Sequence, residues 1–166
     1  MISADYCRLF AAYNQWQNTS LIAAADGLSA AERWRDMGAF FKSVAATFNH
    51  LYWADALMLA RLGGNERPHD TIRHDLKNPS AWSDFKAQRV ARDREITAWA
   101  DRLAKTDLKG TVAWYPPDGA ARIEMPRSHC AVQMFNHQTH HRGQIHAMLT
   151  ALGAKPDATD IPLMPQ

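Results

Sequence analysis

Two histidines four residues apart stand in the run Phe135-Asn136-His137-Gln138-Thr139-His140-His141-Arg142-Gly143-Gln144. On an α-helix that spacing sets two imidazoles on one face about a turn apart, where they can grip one cation. The apolar seam of this segment runs Cys130, Met134, His137, His141, Ile145, Met148, Leu152, alternating by threes and fours. His137 and His141 are therefore expected to point inward, whereas His140 and His146 fall to the side. Burying two imidazoles without partners costs roughly 1–3 kcal/mol each, and a shared metal removes that cost.

Two histidines rarely complete a site, so a third ligand must come from another segment. His50 is the candidate, mid-helix in the apolar run Phe48-Asn49-His50-Leu51-Tyr52-Trp53-Ala54-Asp55. Helical arithmetic sets it beside the Val44–Leu51–Met58 stripe rather than at its centre. Asp55 lies on the stripe itself and is expected to orient a ligand from behind. A lone inward histidine is more often a hydrogen-bonded core residue than a ligand; the stacked pair is what shifts the balance. His69, His74 and His129 read as solvated.

The positioning elements follow from the period of the apolar residues. A first helix over about Ser3 to Ala25 turns Tyr6, Leu9, Phe10, Tyr13, Trp16, Leu21 and Ile22 inward, and Asp26-Gly27 ends it with a left-handed glycine. Ser29-Ala30-Ala31-Glu32 has capping-box spacing, and Gly38 marks a bend. The second helix carries Phe41, Val44, Phe48, Leu51, Met58 and Leu62, and stops at Gly63-Gly64. Residues 65–79 read as a polar surface crossing. The third helix spans about Ser80 to Lys105 with Trp82, Phe85, Ile96, Trp99, Ala100 and Leu103 inward; Arg89 and Asp93, four apart near the same stripe, can pair. Residues 110–125 read as a hairpin turning at Pro116-Pro117-Asp118-Gly119. The last helix runs from near Ser128 to Leu152, and the tail packs loosely. The expected architecture is all-α: one domain over residues 1–166, a four-helix bundle with a small β-hairpin before its last helix.

Composition narrows the function. The 166 residues carry 19 basic and 17 acidic side chains, a net charge of +2, without the basic stripe of a nucleic-acid binder. Two cysteines, Cys7 and Cys130, suit a reducing cytoplasm rather than a disulfide framework, and nothing resembles a membrane span or signal peptide. Cys130, two turns from His137 on the seam, reads as a structural thiol.

Three blocks resemble the DinB family, the damage-inducible proteins of the YfiT type: Ala12-Tyr13-Asn14-Gln15-Trp16-Gln17-Asn18; His50-Leu51 with Asp55 and Leu59-Ala60-Arg61-Leu62; and Asn136-His137 through His141-Arg142-Gly143-Gln144. They span nearly the whole chain in the family's order, and the last is the most specific. The resemblance implies a four-helix bundle, often dimeric, that holds one divalent metal ion through His50, His137 and His141. It also implies relatives acting as metal-dependent transferases and isomerases with a low-molecular-weight thiol.

Three nitrogen ligands leave coordination positions open, as catalysis requires. Zinc or nickel is expected first, with manganese or iron as alternatives. Asp55, Asn14, Gln144 and Arg142 are the polar residues expected near the metal. Arg142 is directed about 100° from His141, toward the surface or a dimer interface. Gly143 is expected to admit a neighbouring helix, and Asn14 and Trp16 to brace the first helix. The leading expectation is a cytoplasmic metal-dependent enzyme, a thiol-dependent S-transferase or hydrolase acting on a small electrophile. It is expected to form a homodimer, on the strength of the tryptophans at 34, 53, 82 and 99 and of the resemblance. The alternative is a non-catalytic metal-binding stress-response protein. DNA binding is disfavoured by the charge.

Overall fold

The computed structural model describes residues 2–63, 82–115 and 121–165. Its elements are α1 (Ala4–Asp26), a single turn α2 (Ala30–Arg33), α3 (Val44–Arg61), α4 (Trp82–Arg102), strands β1 (Thr111–Trp114) and β2 (Ile123–Pro126), and α5 (Arg127–Ala151). A 3-10 turn, Ile161–Leu163, follows. The surface crossing expected over 65–79 and the turn at 116–119 lie outside the described residues.

Local chemistry sets the helix starts. Ser3 and Ser43 cap α1 and α3, accepting the N–H groups of Tyr6 and Ala46. Ser29 and Glu32 form the expected capping box at α2. Because Ser43 caps α3, Phe41 lies before that helix rather than on it. Gly63 and Gly153 take the left-handed conformation (φ 83° and 82°) just beyond α3 and α5. Gly27 does not: its φ is −70°, a right-handed end to α1, contrary to the sequence expectation.

α1 packs against α4 and α5, and α3 against α4 and α5, giving the circular order α1–α4–α3–α5. One apolar cluster joins the start of α1 (Cys7, Ala11) to the ends of α3 (Leu59, Leu62) and α4 (Ile96, Trp99, Leu103) and the start of α5 (Cys130, Met134, Phe135). A second joins Leu21 and Ala25 to Val44, Phe48 and Leu51, to Phe85, and to Ile145 and Leu149. Hence α1 and α5 run one way and α3 and α4 the other. The antiparallel hairpin pairs Val112 with Met125 and tucks Val112 under the first cluster.

Between the clusters lies a buried polar layer built from all four long helices. Arg89, 0% exposed, donates to Asp55 Oδ2 at 2.6 Å and to Asp93 Oδ1 at 2.7 Å. Asn18 donates to Asp93 Oδ1 at 2.9 Å, Gln138 to Asp55 Oδ1 at 2.8 Å, and Asn14 to Gln138 Oε1. Burial disfavours the arginine's charge, but Asp93 and Asp55 outweigh it and move its pKa up. The expected Arg89–Asp93 pair is thus present, and Asp55 completes it. The buried face of α1 is wider than its apolar stripe: Asn14, Gln17 and Asn18 are buried along with Tyr13 and Leu21, and of the seven residues expected inward only Leu9 is exposed.

The tail is stitched rather than loose. Tyr13 donates to the Thr159 carbonyl at 2.7 Å, Gln17 to that of Ala158 at 2.9 Å, and Ser20 accepts the Asp157 N–H at 2.8 Å. Of the tryptophans at 34, 53, 82 and 99, two are spent within the bundle: Trp99 is in the core, and Trp82 stacks on Phe85 and donates to Asp26.

Candidate metal centre

α3 and α5 are antiparallel neighbours, and along their contact His50 meets His137 and His141. The Nε2 atoms of His50 and His141 each lie 3.1 Å from Nε2 of His137. One nitrogen from each ring lies within 4.8 Å of the other two, and among the described residues no other histidine, cysteine or carboxylate joins the group. The sequence-derived trio is thus brought together as a set.

Proton accounting tests whether these rings satisfy one another. An imidazole nitrogen carries either one hydrogen or one in-plane lone pair. His137 Nε2 faces two nitrogens and can make only one good hydrogen bond, so a neutral trio leaves at least one contact unsettled. A cation at the convergence point settles all three as lone-pair donors. Nitrogens bound to zinc at about 2.0–2.1 Å lie about 3.3 Å apart in a tetrahedron, and adjacent octahedral ligands about 3.0 Å apart. The observed 3.1 Å spacings lie between those values, so the donor set fits a divalent ion.

Burial prepares the rings for that role. It lowers the pKa of His50 to about 4, helped by His141 and His137, and that of His137 to about 4, helped by His141. His141 is lowered by burial too, partly opposed by its bond to Gln144. His50 and His137 therefore stay neutral, the metal-binding form, well below pH 6, and His141 is shifted in the same direction.

The carbonyl oxygen of Gln144 lies 2.8 Å from His141 Nδ1, so Nδ1–H donates to it and the lone pair is left on Nε2, toward the other two rings. The same glutamine reaches His140 Nε2 at 3.2 Å. Gln144 thus has the orienting role expected of Asp55, whose two oxygens are taken by Arg89 and Gln138.

Further expectations are corrected by the packing. The buried face of α5 takes in Cys130, Met134, His141, Ile145 and Met148 of the expected seam and extends past it to Ala131, Phe135, Gln138, Arg142 and Leu149. His141 keeps 6% exposure, while His137 lies half-buried on the rim, which places the cluster at an edge of the bundle rather than in its middle. Arg142 is not at the surface: its Nη2 donates to Thr139 Oγ1, its guanidinium faces Tyr13 at 5.3 Å, and burial lowers its pKa to about 10. Gly143 is exposed with nothing within 4 Å of where a Cβ would stand, so it admits no helix. Asn14 braces α1 as expected, but through Gln138 and not at the metal ligands. Cys130 is fully buried and its pKa raised by burial, as suits a structural thiol. His129 and His140 are exposed; His69 and His74 lie outside the described residues.

Phe41 is the neighbour that periodicity misplaced. From the turn before α3 it stacks on His50 at 3.9 Å between centroids, with an interplanar angle of 21°, and lies 5.5 Å from His141.

The model of the DinB family matches residues 1–166, the whole chain. The chain belongs to the DinB family. Among solved structures, a DinB-like protein from Bacillus cereus is similar at a TM-score of 0.62 and 17% identity, over 86% of this chain and 90% of that one. At that identity the likeness speaks for the fold. No curated protein matches the sequence. The four-helix bundle, with its hairpin ahead of the last helix, is therefore a DinB bundle, and its histidine trio could hold a metal ion. No helix among the described residues is long and apolar enough to cross a membrane.

Proposed function

We propose that this DinB protein is a metal-dependent enzyme in which His50, His137 and His141 hold one divalent cation and leave coordination positions open to a substrate. The convergence of three imidazole nitrogens without a fourth protein ligand among the described residues carries the reading. A structural zinc site is normally closed by four protein ligands, whereas three are usual at catalytic sites.

A divalent ion held by His50, His137 and His141 would supply Lewis acidity toward a water or a thiol. The chain's own residues do the rest. Gln144 fixes the tautomer of His141, burial keeps His50 and His137 neutral, and Phe41 shields one face of His50 from water. The resemblance favours transfer of a low-molecular-weight thiol to a small electrophile, the thiol proton and any leaving group passing to solvent; hydrolysis of a small substrate is the other route through the same site. Zinc and nickel suit nitrogen donors best, and manganese and iron are also accommodated. The family's habit of pairing makes a homodimer, in the cytoplasm, the proposed setting.

Cobalt-loaded protein tests this reading. Added thiol is expected to produce an intense sulfur-to-cobalt absorption band, and zinc-loaded protein to accelerate consumption of a small electrophile by that thiol. Both are expected to vanish in His50→Ala and His141→Ala. Metal uptake with neither response to thiol nor turnover of electrophiles or esters would leave a metal-binding protein without catalysis.

A further inference from the structure

The turn before α3 is held in a shape that packing alone does not call for. Asp36 Oδ1 accepts the Gly38 N–H at 2.9 Å, Met37 N–H donates to the Lys42 carbonyl at 2.7 Å, and Lys42 N–H to that of Ala39 at 2.8 Å. Gly38 has φ 76°, and Lys42, a residue with a Cβ, has φ 72°. A lysine in the left-handed region is strained backbone, retained where the surroundings over-determine it. The turn presents Phe41 at the metal centre and Phe40 beside it. Phe41 lies flat on His50, and Phe40 meets Phe41 nearly edge-on, 4.8 Å away at 80°. Phe40 is 80% exposed, more than any other large hydrophobic among the described residues. Trp53 adds a third ring 6.2 Å from His50.

Two rings at right angles, one wall resting on a candidate metal ligand, form a corner for a flat apolar group. The corner is too small for a protein partner. A stable interface covers about 800 Å² on each side, whereas this patch is two side chains within a turn that also exposes Arg35, Asp36 and Lys42. Within the turn the charges of Lys42 and Asp36 face each other at 4.0 Å.

We propose that Phe40 and Phe41 form an apolar subsite continuous with the histidine centre, selecting ligands whose metal-binding atoms are joined to an uncharged aromatic group. This rests on the reading that the three histidines hold a metal. The strained turn holds the corner open ahead of binding, so little ordering is left to be done when the ligand arrives.

The test uses full-length cobalt-loaded protein and two probes with one metal-binding headgroup, benzohydroxamate and acetohydroxamate, followed by the cobalt spectrum. Wild type is expected to prefer the aromatic probe. Phe40→Ala is expected to shrink that preference about fivefold while leaving acetohydroxamate affinity unchanged, and Phe40→Trp to restore it. Comparing variants cancels the intrinsic difference between the probes. A preference unaltered by Phe40→Ala, or an equal loss for both probes, overturns the subsite. Failure of the wild type to take up cobalt overturns the metal reading instead, and is seen before either probe is added.

Discussion

Two polar regions lie side by side in this bundle, and consecutive residues of α5 divide between them: His137 belongs to one and Gln138 to the other. In the layer around Arg89, each carboxylate faces the guanidinium, and the amides of Asn18 and Gln138 donate to those same carboxylates. In the histidine trio, three nitrogens converge with too few protons to satisfy them and no opposite charge among them. The first region pairs its charges within the core, though Arg89 Nε and the Oδ1 atoms of Asn14 and Asn18 find no partner there; the second gathers neutral donors at the rim. That difference separates polar groups that specify a fold from polar groups that await a ligand. A buried charge network is retained when its members satisfy one another, whereas a cluster of neutral donors aimed at one point is intelligible only with something at that point.

The largest effect expected from breaking this contrast is on the closed side. Arg89→Met leaves Asp55 and Asp93 buried without their counter-charge and is expected to cost about 3–5 kcal/mol, read as a lowered denaturation midpoint at constant m-value. On the open side, Gln144→Ala frees His141 to take the wrong tautomer. A 10- to 100-fold loss of metal affinity is expected with an unchanged melting curve for the metal-free protein. If that melting curve drops as far as in Arg89→Met, the two regions are not distinct in kind.

The acid response sharpens the comparison. His50 and His137 titrate near 4 when folded and near 6.5 when unfolded. Between those values the unfolded chain binds protons that the folded one refuses, so stability falls as the pH is lowered through this window and levels off below it. Metal-free wild type is expected to lose stability from about pH 6.5 to 4, and His50→Ala to lose it on a shallower slope. Identical slopes would mean that the rings are not held neutral by burial. The smallest effect is local: Ser43→Ala removes the cap of α3, for about 1 kcal/mol of stability, with metal stoichiometry unchanged.

The open region was more legible in the sequence than the closed one. An i, i+4 histidine pair on an apolar seam is a local signal, and the family pattern supplied His50 where helical arithmetic left it off-centre. Apolar periodicity cannot register an interior polar layer, because it assigns Asn14, Asn18, Gln138 and Arg142 to the outside by type. Three of the layer's members did leave a trace: Asp55 on its stripe, and Arg89 with Asp93 at pairing distance on theirs. Following those three across to the facing helices would have added Asn14, Asn18 and Gln138 to the buried faces of α1 and α5. Phe41 escaped because its part depends on where Ser43 caps α3, a boundary of two or three residues that periodicity does not resolve.

The histidine centre is tested most directly by the metal content of protein purified without a nickel column, measured per chain by elemental mass spectrometry for wild type and His137→Ala. One equivalent of a divalent ion in the wild type and almost none in the variant is the predicted result. A wild type that carries no metal and takes up none when offered zinc, nickel, manganese or iron would contradict it, and would make the trio a set of polar side chains at the edge of the core.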